Sequence, residues 1–123
     1  LSRLMHMLRM GGSYGKTEWF QAETILDWTS RVDADPEYRK ASGFDRPANE
    51  PDSGPTCNEA SSSSFGHSGF TGTLAWADPK DKVIFIFLSN RVNPDAENWK
   101  LRDLNIRTKI QHVVYEAIQS RKK

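Results

Sequence analysis

Apolar residues recur at helical spacing at the start of the chain. Positions three or four residues apart predict a first helix, which the pair Gly11-Gly12 ends. These positions are Leu1, Leu4, Met5 and Leu8. A second helix is predicted from about Ala22 to Arg31, with three candidate buried residues, Ile25, Leu26 and Trp28. Residues 33–38 are predicted to form a loop, and a short strand is predicted before Pro47.

The middle of the chain carries few apolar residues. Residues 49–64 are rich in Pro, Gly, Ser and Asn and offer little to bury, so they are predicted to form a long surface loop. Loops longer than about 12–15 residues are usually functional or disordered. This loop leads into SSSSFGHSGFTGT, residues 61–73, where serines and glycines surround His67. The pattern alone allows either a flexible loop or the edge of an active site.

The pattern becomes strand-like after Gly69. Phe70 to Ala77 is predicted as a strand, residues 78–81 as a turn, and residues 82–90 as a second strand that pairs with the first in a hairpin. Residues 83–88 are continuously apolar. The second strand is therefore expected at the centre of a sheet rather than at its edge.

The last predicted element is a long amphipathic helix from about Leu101 to Gln119. The apolar stripe expected to face the sheet consists of Ile106, Ile110, Val113, Val114 and Ala117. Helices on either side of a hairpin indicate the α+β class, with an antiparallel β-sheet packed against helices. A length of 123 residues allows one domain at most.

Composition and charge exclude several classes of function. Seventeen basic residues against sixteen acidic ones leave a net charge of +1, without the basic stripe that nucleic-acid binding requires. No apolar run approaches the ~20 residues of a membrane span. The single cysteine, Cys57, excludes an internal disulfide.

Two strings match the pattern Ser-x-x-Lys, in which a serine on a helix places a lysine one turn later as its base. In the first, Ser13 to Lys16, a glycine stands where the helix would form, so a turn is predicted. The second, Ser120 to Lys123, lies in a charged chain end where the lysine would stay solvated. Neither context suits a nucleophile, and no nucleophilic serine is assigned to this chain.

A Ser-His-Asp triad is another possibility, drawn from His67, Asp78 or Asp81, and a serine of residues 61–64. Spacing does not establish its geometry, and no G-x-S-x-G motif occurs. The three histidines lack metal-binding spacing, so neither a metal nor another cofactor is expected; they are His6, His67 and His112. The first and third are predicted to be surface or half-buried helix residues.

Residues 65–94, FGHSGFTGTLAWADPKDKVIFIFLSNRVNP, resemble the C-terminal part of the serine β-lactamase-like family, which includes penicillin-binding proteins, class C β-lactamases, esterases and D-peptidases. In that family a K-T-G or H-x-G triad begins the strand that lines the active site, and an aliphatic strand ending in LSNR follows. The triad here is His67-Ser68-Gly69. Residues 1–31 resemble the family segment with a helix, a GG-x-YG turn and a second helix, and residues 105–118 resemble its closing helix.

The resemblance implies a role for each residue of the triad and for the residue after it. His67 would be a cationic or proton-relaying group, and the Ser68 hydroxyl would hydrogen-bond a substrate carboxylate or carbonyl. Gly69 would let the substrate backbone approach closely. The backbone N–H of Phe70 would be one donor of the oxyanion hole.

The family's nucleophilic S-x-x-K and its Y-x-N or S-x-N motif have no counterpart here, since both lie upstream in the family. The chain also begins within a helix, without an initiator methionine or a signal peptide. We therefore expect a C-terminal fragment of a serine hydrolase, inactive alone, whose parent acts on amide or ester substrates such as β-lactams or D-peptides. The alternatives are a non-catalytic ligand-binding relative in the cell envelope and a free-standing small binding domain.

This interpretation also implies partners and a location. The expected partners are a small-molecule or peptide substrate and the N-terminal half of the same domain. Nucleic acid is not expected. The parent is expected in the periplasm or cell envelope, and self-association through an exposed sheet edge is expected for the chain alone.

Overall fold

The structure, a computed structural model, describes residues 1–30 and 41–121. Its helices are α1 (Ser2–Arg9), α2 (Ala22–Thr29), α3 (Lys100–Asp103) and α4 (Ile106–Ser120), and its strands are β1 (Ser13–Tyr14), β2 (Thr17–Glu18), β3 (Phe65–Ser68), β4 (Leu74–Asp78) and β5 (Val83–Phe87). The loop predicted at residues 33–38 lies outside the described residues, as do Arg31 and Lys123. Helices packed on an antiparallel sheet confirm the α+β class.

The main sheet has the order β3-β4-β5, and both pairings are antiparallel. The predicted hairpin is confirmed, with Asp78 opposite Val83 at its closed end. The strand predicted from Phe70 begins only at Leu74, because residues 69–73 turn the chain instead. An additional strand, β3, precedes that turn and was not predicted.

Within the described residues, β5 lies at the edge of the sheet and β4 at its centre, so the expectation of a central β5 was wrong. The apolar run of β5 is explained by cover on its two faces. Phe85 is buried in a cluster with Trp76 and Tyr115, while Ile84 packs against a second cluster around Met5. Because alternate strand residues point to opposite faces, the sheet separates the two clusters.

The first cluster lies under α4 and the second under α1. Tyr115 of α4 and Trp76 of β4 are each 1% exposed. Met5 and Leu8 of α1 pack with Phe65 of β3. Complete burial of a large apolar side chain contributes about 1.5–3 kcal/mol, so these contacts hold the helices to the sheet.

Both N-terminal helices bury only part of their apolar residues. Of the four residues whose spacing predicted the first helix, Met5 and Leu8 are buried and Leu1 and Leu4 are exposed, and Met7 is buried in addition. The second helix ends at Thr29 and buries Ile25 and Thr29, which lie one turn apart, while Leu26 and Trp28 are exposed. Thr29 is accommodated because its hydroxyl donates to the Ile25 carbonyl at 2.8 Å.

The predicted C-terminal helix is divided into α3 and α4 at Asn105, whose φ of 52° is left-handed. The predicted apolar stripe is confirmed only in part. Val114 packs against the first cluster, but Ile110 and Val113 are exposed, and the buried residues of α4 are Gln111 and Tyr115. The buried face of α4 was difficult to predict from the sequence, because its buried side chains carry polar atoms. The Gln111 carbonyl oxygen accepts bonds from Thr56 and Cys57, and the Tyr115 hydroxyl donates to Asp78.

Residues 49–64 contain neither helix nor strand. Residues 49–53 are exposed, as expected for a surface loop, but five later residues are buried against α4 and the sheet: Thr56, Cys57, Ala60, Ser61 and Ser64. Before Pro47, the described residues contain a single bridge to β3, between Asp45 and Gly66, instead of a strand. Among the described helices, none has the length and apolar character needed to cross a membrane.

Candidate active site

His67, Ser68 and Gly69 lie where β3 ends and turns towards β4. The triad was predicted to begin a strand, but Ser68 is the last residue of β3. The Gly69 N–H donates to the Thr73 carbonyl at 2.8 Å, and the Gly72 N–H donates to the Gly69 carbonyl at 2.9 Å. Gly72 has a φ of +93°, a conformation that glycine adopts without strain. We call residues 69–73 the site turn.

The site turn directs the backbone N–H of Phe70 outwards. In a trans peptide the C=O and N–H groups point in opposite directions. Because the Gly69 carbonyl is held inside the turn by Gly72, the N–H of the same peptide unit, on Phe70, faces away from it. This N–H has no acceptor among the described residues, so it is available as a donor to a ligand.

His67 and Ser68 present two further polar groups. The His67 side chain is exposed, and its Nδ1 lies 2.9 Å from the Ser68 carbonyl oxygen. A carbonyl only accepts, so we assign the proton to Nδ1, which leaves Nε2 for a ligand. The half-buried Ser68 hydroxyl has no hydrogen-bond partner in the described part of the chain and is also available.

Gly69 has an intramolecular reason to lack a side chain. A Cβ added there would meet the Thr73 hydroxyl oxygen across the turn. A side chain at this position would therefore displace the Thr73 hydroxyl, in addition to hindering the substrate approach that the family resemblance implies.

A cleft of about 120 Å³ lies beside the site turn. Its lining includes Ser68, Gly69 and Phe70 together with Trp99 and Arg107. Arg107 donates to the carbonyls of the turn, to Gly72 at 3.3 Å and to Thr73 at 3.4 Å, and burial lowers the pKa of its guanidinium. The cleft thus combines cationic and neutral donors, which suits a ligand bearing a carbonyl or carboxylate.

The other end of β3 is anchored by a buried carboxylate. Asp78 accepts bonds from the N–H of Ser61 at 2.8 Å, from the Ser61 hydroxyl at 2.6 Å and from the Tyr115 hydroxyl at 2.9 Å. It also accepts from the backbone N–H groups of Lys80 and Asp81. Ser61 lies four residues before β3, so this network fixes the entry to the strand. We call it the Asp78 network.

These bonds leave no Ser-His-Asp triad among the described residues. Asp78 is fully buried and uses its oxygens on the Asp78 network, whereas the His67 ring bonds to the neighbouring Ser68 carbonyl. Cys57 is not a nucleophile either, because burial raises the pKa of its thiol to about 11, with a further contribution from Glu59. The thiol is neutral at pH 7.

The serines of the two Ser-x-x-Lys strings are not placed as nucleophiles in the described part of the chain. Ser13 lies in β1, and Gly15, with a φ of +64°, forms the turn before β2. Ser120 closes α4, and its hydroxyl donates to the Ala117 carbonyl at 3.0 Å. No group of three or more His, Cys, Asp or Glu side chains in residues 1–30 and 41–121 is arranged to hold a metal ion. The half-buried positions predicted for His6 and His112 are confirmed.

Sequence reasoning did not identify Arg91 as part of the site. The residue was noted only within LSNR, at the end of the second predicted strand. In the structure its Nε donates to the Phe70 carbonyl at 2.9 Å. The sequence distance of 21 residues gives no indication of this contact.

Comparison with known proteins places the chain in one family. The family described as Beta-lactamase matches residues 1–107, most of the chain, and the chain belongs to that family. Among its relatives are proteins named putative D-alanyl-D-alanine carboxypeptidase, from Salmonella paratyphi B (strain ATCC BAA-1250 / SPB7) and Salmonella newport (strain SL254). Each is 31% identical over 99 residues, which cover 80% of this chain. The chain spans 22% of the length of these relatives.

Proposed function

We propose that this chain supplies one wall of the active site of a serine hydrolase that transfers acyl groups from amide or ester substrates. The observation that carries the proposal is the site turn, which directs the Phe70 N–H outwards; this N–H and the hydroxyl of nearby Ser68 have no hydrogen-bond partner among the residues that the structure describes. Membership of the β-lactamase family supports the reaction class. The relatives' name supports a peptide ending in D-alanyl-D-alanine as a substrate, and with it a location in the cell envelope.

In the proposed acylation, a serine from outside this sequence gives its hydroxyl proton to a base, which later passes it to the leaving group, while the serine oxygen forms a bond to the substrate carbonyl carbon. The carbonyl π electrons move to the oxygen, and the Phe70 N–H donates to this oxyanion. The oxyanion then collapses and expels the amine or alcohol, which leaves with a proton. Water attacks the acyl-enzyme in the same way and releases the carboxylic acid. His67 Nε2 can accept or return a proton at the edge of the site.

A ligand-binding relative without turnover is the second candidate. The specific observation in its favour is that, among the described residues, Ser13 lies in the short strand β1 and the Ser120 hydroxyl at the end of α4 donates to the Ala117 carbonyl, so neither serine is placed as a nucleophile there. Such a protein would bind the same carbonyl or carboxylate groups in the cleft and release them unchanged. The two candidates therefore differ in one measurable property, which is covalent acylation.

The complete gene product should be assayed with a D-alanyl-D-alanine peptide, a simple ester and a fluorescent penicillin. We expect turnover of at least one substrate, and His67→Ala should lower kcat/KM by about 10²-fold or more, the scale of general acid–base catalysis. His6→Ala, in α1, is the matched control. Saturable binding without turnover or labelling would favour the second candidate, and an unchanged kcat/KM in His67→Ala would exclude His67 from the site.

A further inference from the structure

The two peptide units that flank Phe70 are both held by hydrogen bonds. The unit before it is held through the Gly69 carbonyl, which accepts from the Gly72 N–H. The unit after it is held through the Phe70 carbonyl, which accepts from Arg91 Nε at 2.9 Å. The Arg91 N–H also donates to the Thr71 carbonyl at 2.9 Å. Arg91 thus contacts two successive carbonyls of the site turn.

Arg91 is itself held in place on several sides. It is 8% exposed, and its Nη1 donates to the carbonyls of Ala96 at 2.9 Å and Asn98 at 3.1 Å. Its guanidinium carbon lies 3.8 Å from the Trp99 ring centre and 4.6 Å from that of Phe70. A planar guanidinium can make these stacking contacts and directed bonds together, whereas a lysine ammonium cannot.

Three bonds of the Arg91 side chain go to backbone carbonyls, and its Nη2 is buried without a hydrogen-bond partner among the described residues. The bond to the Phe70 carbonyl gives Arg91 an effect on a substrate through the orientation of the Phe70 peptide units. Without the bond to the Phe70 carbonyl, one of the two constraints on Phe70 is lost, and its N–H can rotate away from the oxyanion. Small misplacements of a reacting or stabilising group, of about 1 Å, can cost ~10²-fold in rate.

We propose that Arg91 is a positioning residue for the Phe70 backbone donor. This inference rests on the proposed function, since it assigns Arg91 a role in stabilising the acyl-transfer oxyanion. It makes two separable claims. The first is that Arg91 restrains the site turn in this chain. The second is that this restraint strengthens the hydrogen bond from the Phe70 N–H to the oxyanion of the transition state more than the bond to the ground-state carbonyl.

The first claim is tested by amide hydrogen exchange on the 123-residue chain, as wild type and with Arg91→Met or Arg91→Lys. We expect the Gly72 amide to exchange at least tenfold faster in Arg91→Met, and less so in Arg91→Lys, while the amide of Trp76 in β4 keeps its rate. Arg102→Met is the matched control, because Arg102 stacks on the same Trp99 ring at 4.7 Å but its Nε donates to the Asp103 carboxylate instead of to the site turn. Unchanged exchange at Gly72 in Arg91→Met would overturn the first claim.

The second claim is tested on the complete gene product with an ester and its thionoester, in which sulfur replaces the carbonyl oxygen. Sulfur accepts hydrogen bonds weakly, so an enzyme that uses the Phe70 donor should prefer the ester strongly. We expect this preference to fall about 10- to 100-fold in Arg91→Met and to be partly restored in Arg91→Lys. The ratio of two rates does not depend on the fraction of folded enzyme, so a merely structural role would leave it constant.

The outcomes separate this inference from the proposed function. If the wild-type protein turns over the ester and Arg91→Met keeps the same preference, the positioning role is wrong and the proposed function stands. If the wild type turns over neither ester nor amide, the proposed function fails and the catalytic part of the inference fails with it. Faster exchange together with a reduced preference supports both claims.

Discussion

The Asp78 network offers a test of how the sheet supports the site. Both carboxylate oxygens of Asp78 accept hydrogen bonds. Three of the donors are backbone N–H groups, which cannot act as acceptors. Asp78→Asn therefore places an amide NH₂ against at least one donor. Rotation that turns the NH₂ towards Ser61 and Tyr115 leaves the Ser61 N–H without an acceptor.

The expected loss of stability follows from these contacts. A hydrogen bond to a charged group contributes about 1.5–3 kcal/mol and a neutral one about 0.5–1.5 kcal/mol. Losing one charged bond and weakening the others should lower the free energy of unfolding by about 3 kcal/mol. With an unfolding entropy of about 2.1 cal/mol/K per residue, that corresponds to a fall in Tm of roughly 10 °C at this chain length.

The loss should also depend on pH. Burial alone would raise the pKa of Asp78, but the bonds from Ser61, Asp81 and Tyr115 outweigh it and hold the pKa below its ordinary value. The stabilisation is therefore complete above the unfolded-state pKa of about 3.9 and is lost as the pH falls through the lower folded-state pKa. Denaturant unfolding at pH 7 and at successive values below pH 4 should show the free energies of unfolding of the wild type and of Asp78→Asn converging.

Tyr14→Phe is a suitable control, because it removes a hydroxyl from an exposed tyrosine and should change the free energy of unfolding by less than about 0.5 kcal/mol. The reasoning is refuted if Asp78→Asn is as stable as the wild type at pH 7. If the difference in free energy of unfolding between the wild type and Asp78→Asn stays constant down to pH 3, the assignment of the pH dependence to Asp78 is refuted.

Two further predictions concern β3 and the edge of the sheet. Gly66→Ala should destabilise the fold by several kcal/mol in thermal unfolding, because a Cβ there would collide with the Ala75 carbonyl and the Trp76 ring. Gly43→Ala is the control and should be nearly neutral, since the nearest atom to its added Cβ is 4.0 Å away. Equal Tm values for the two variants would contradict this prediction. The chain alone should self-associate through β5, and Leu88→Lys, at a residue 72% exposed, should shift sedimentation towards the monomer, because edge lysines oppose strand pairing. A wild-type chain that stays monomeric at all concentrations would argue against it.

The sequence indicated the β4–β5 hairpin because two apolar runs flank a polar turn, a purely local pattern. It did not indicate β3, whose four residues FGHS alternate in size and polarity and depend on Trp76 packing over Gly66. The buried face of α4 was missed for a related reason. Gln111 and Tyr115 are buried because distant residues satisfy their polar atoms, and hydrophobic periodicity does not register such partners.

The candidate site was predicted in part. The family resemblance located His67, Ser68, Gly69 and Phe70, which the structure brings together at the end of β3. Their catalytic roles stay predictions. Arg91 could not be found in this way, because its contribution depends on the path of the chain after β5, which returns it to the site turn.

A donor that belongs to the backbone imposes a particular design on the protein around it. Substitution of the Phe70 side chain leaves the N–H in place, so the orientation of that N–H must be set by residues that hold the neighbouring carbonyls. The structure meets this requirement through Gly72 and Arg91, which donate to the carbonyls of Gly69 and Phe70, and a separate anchor restrains the strand that leads to the turn. The Asp78 network fixes the entry to β3 through Ser61, and Arg91 fixes the exit through the Phe70 carbonyl. The anchors act on opposite ends, so weakening Asp78 should reduce overall stability, whereas weakening Arg91 should chiefly alter the direction of a single N–H.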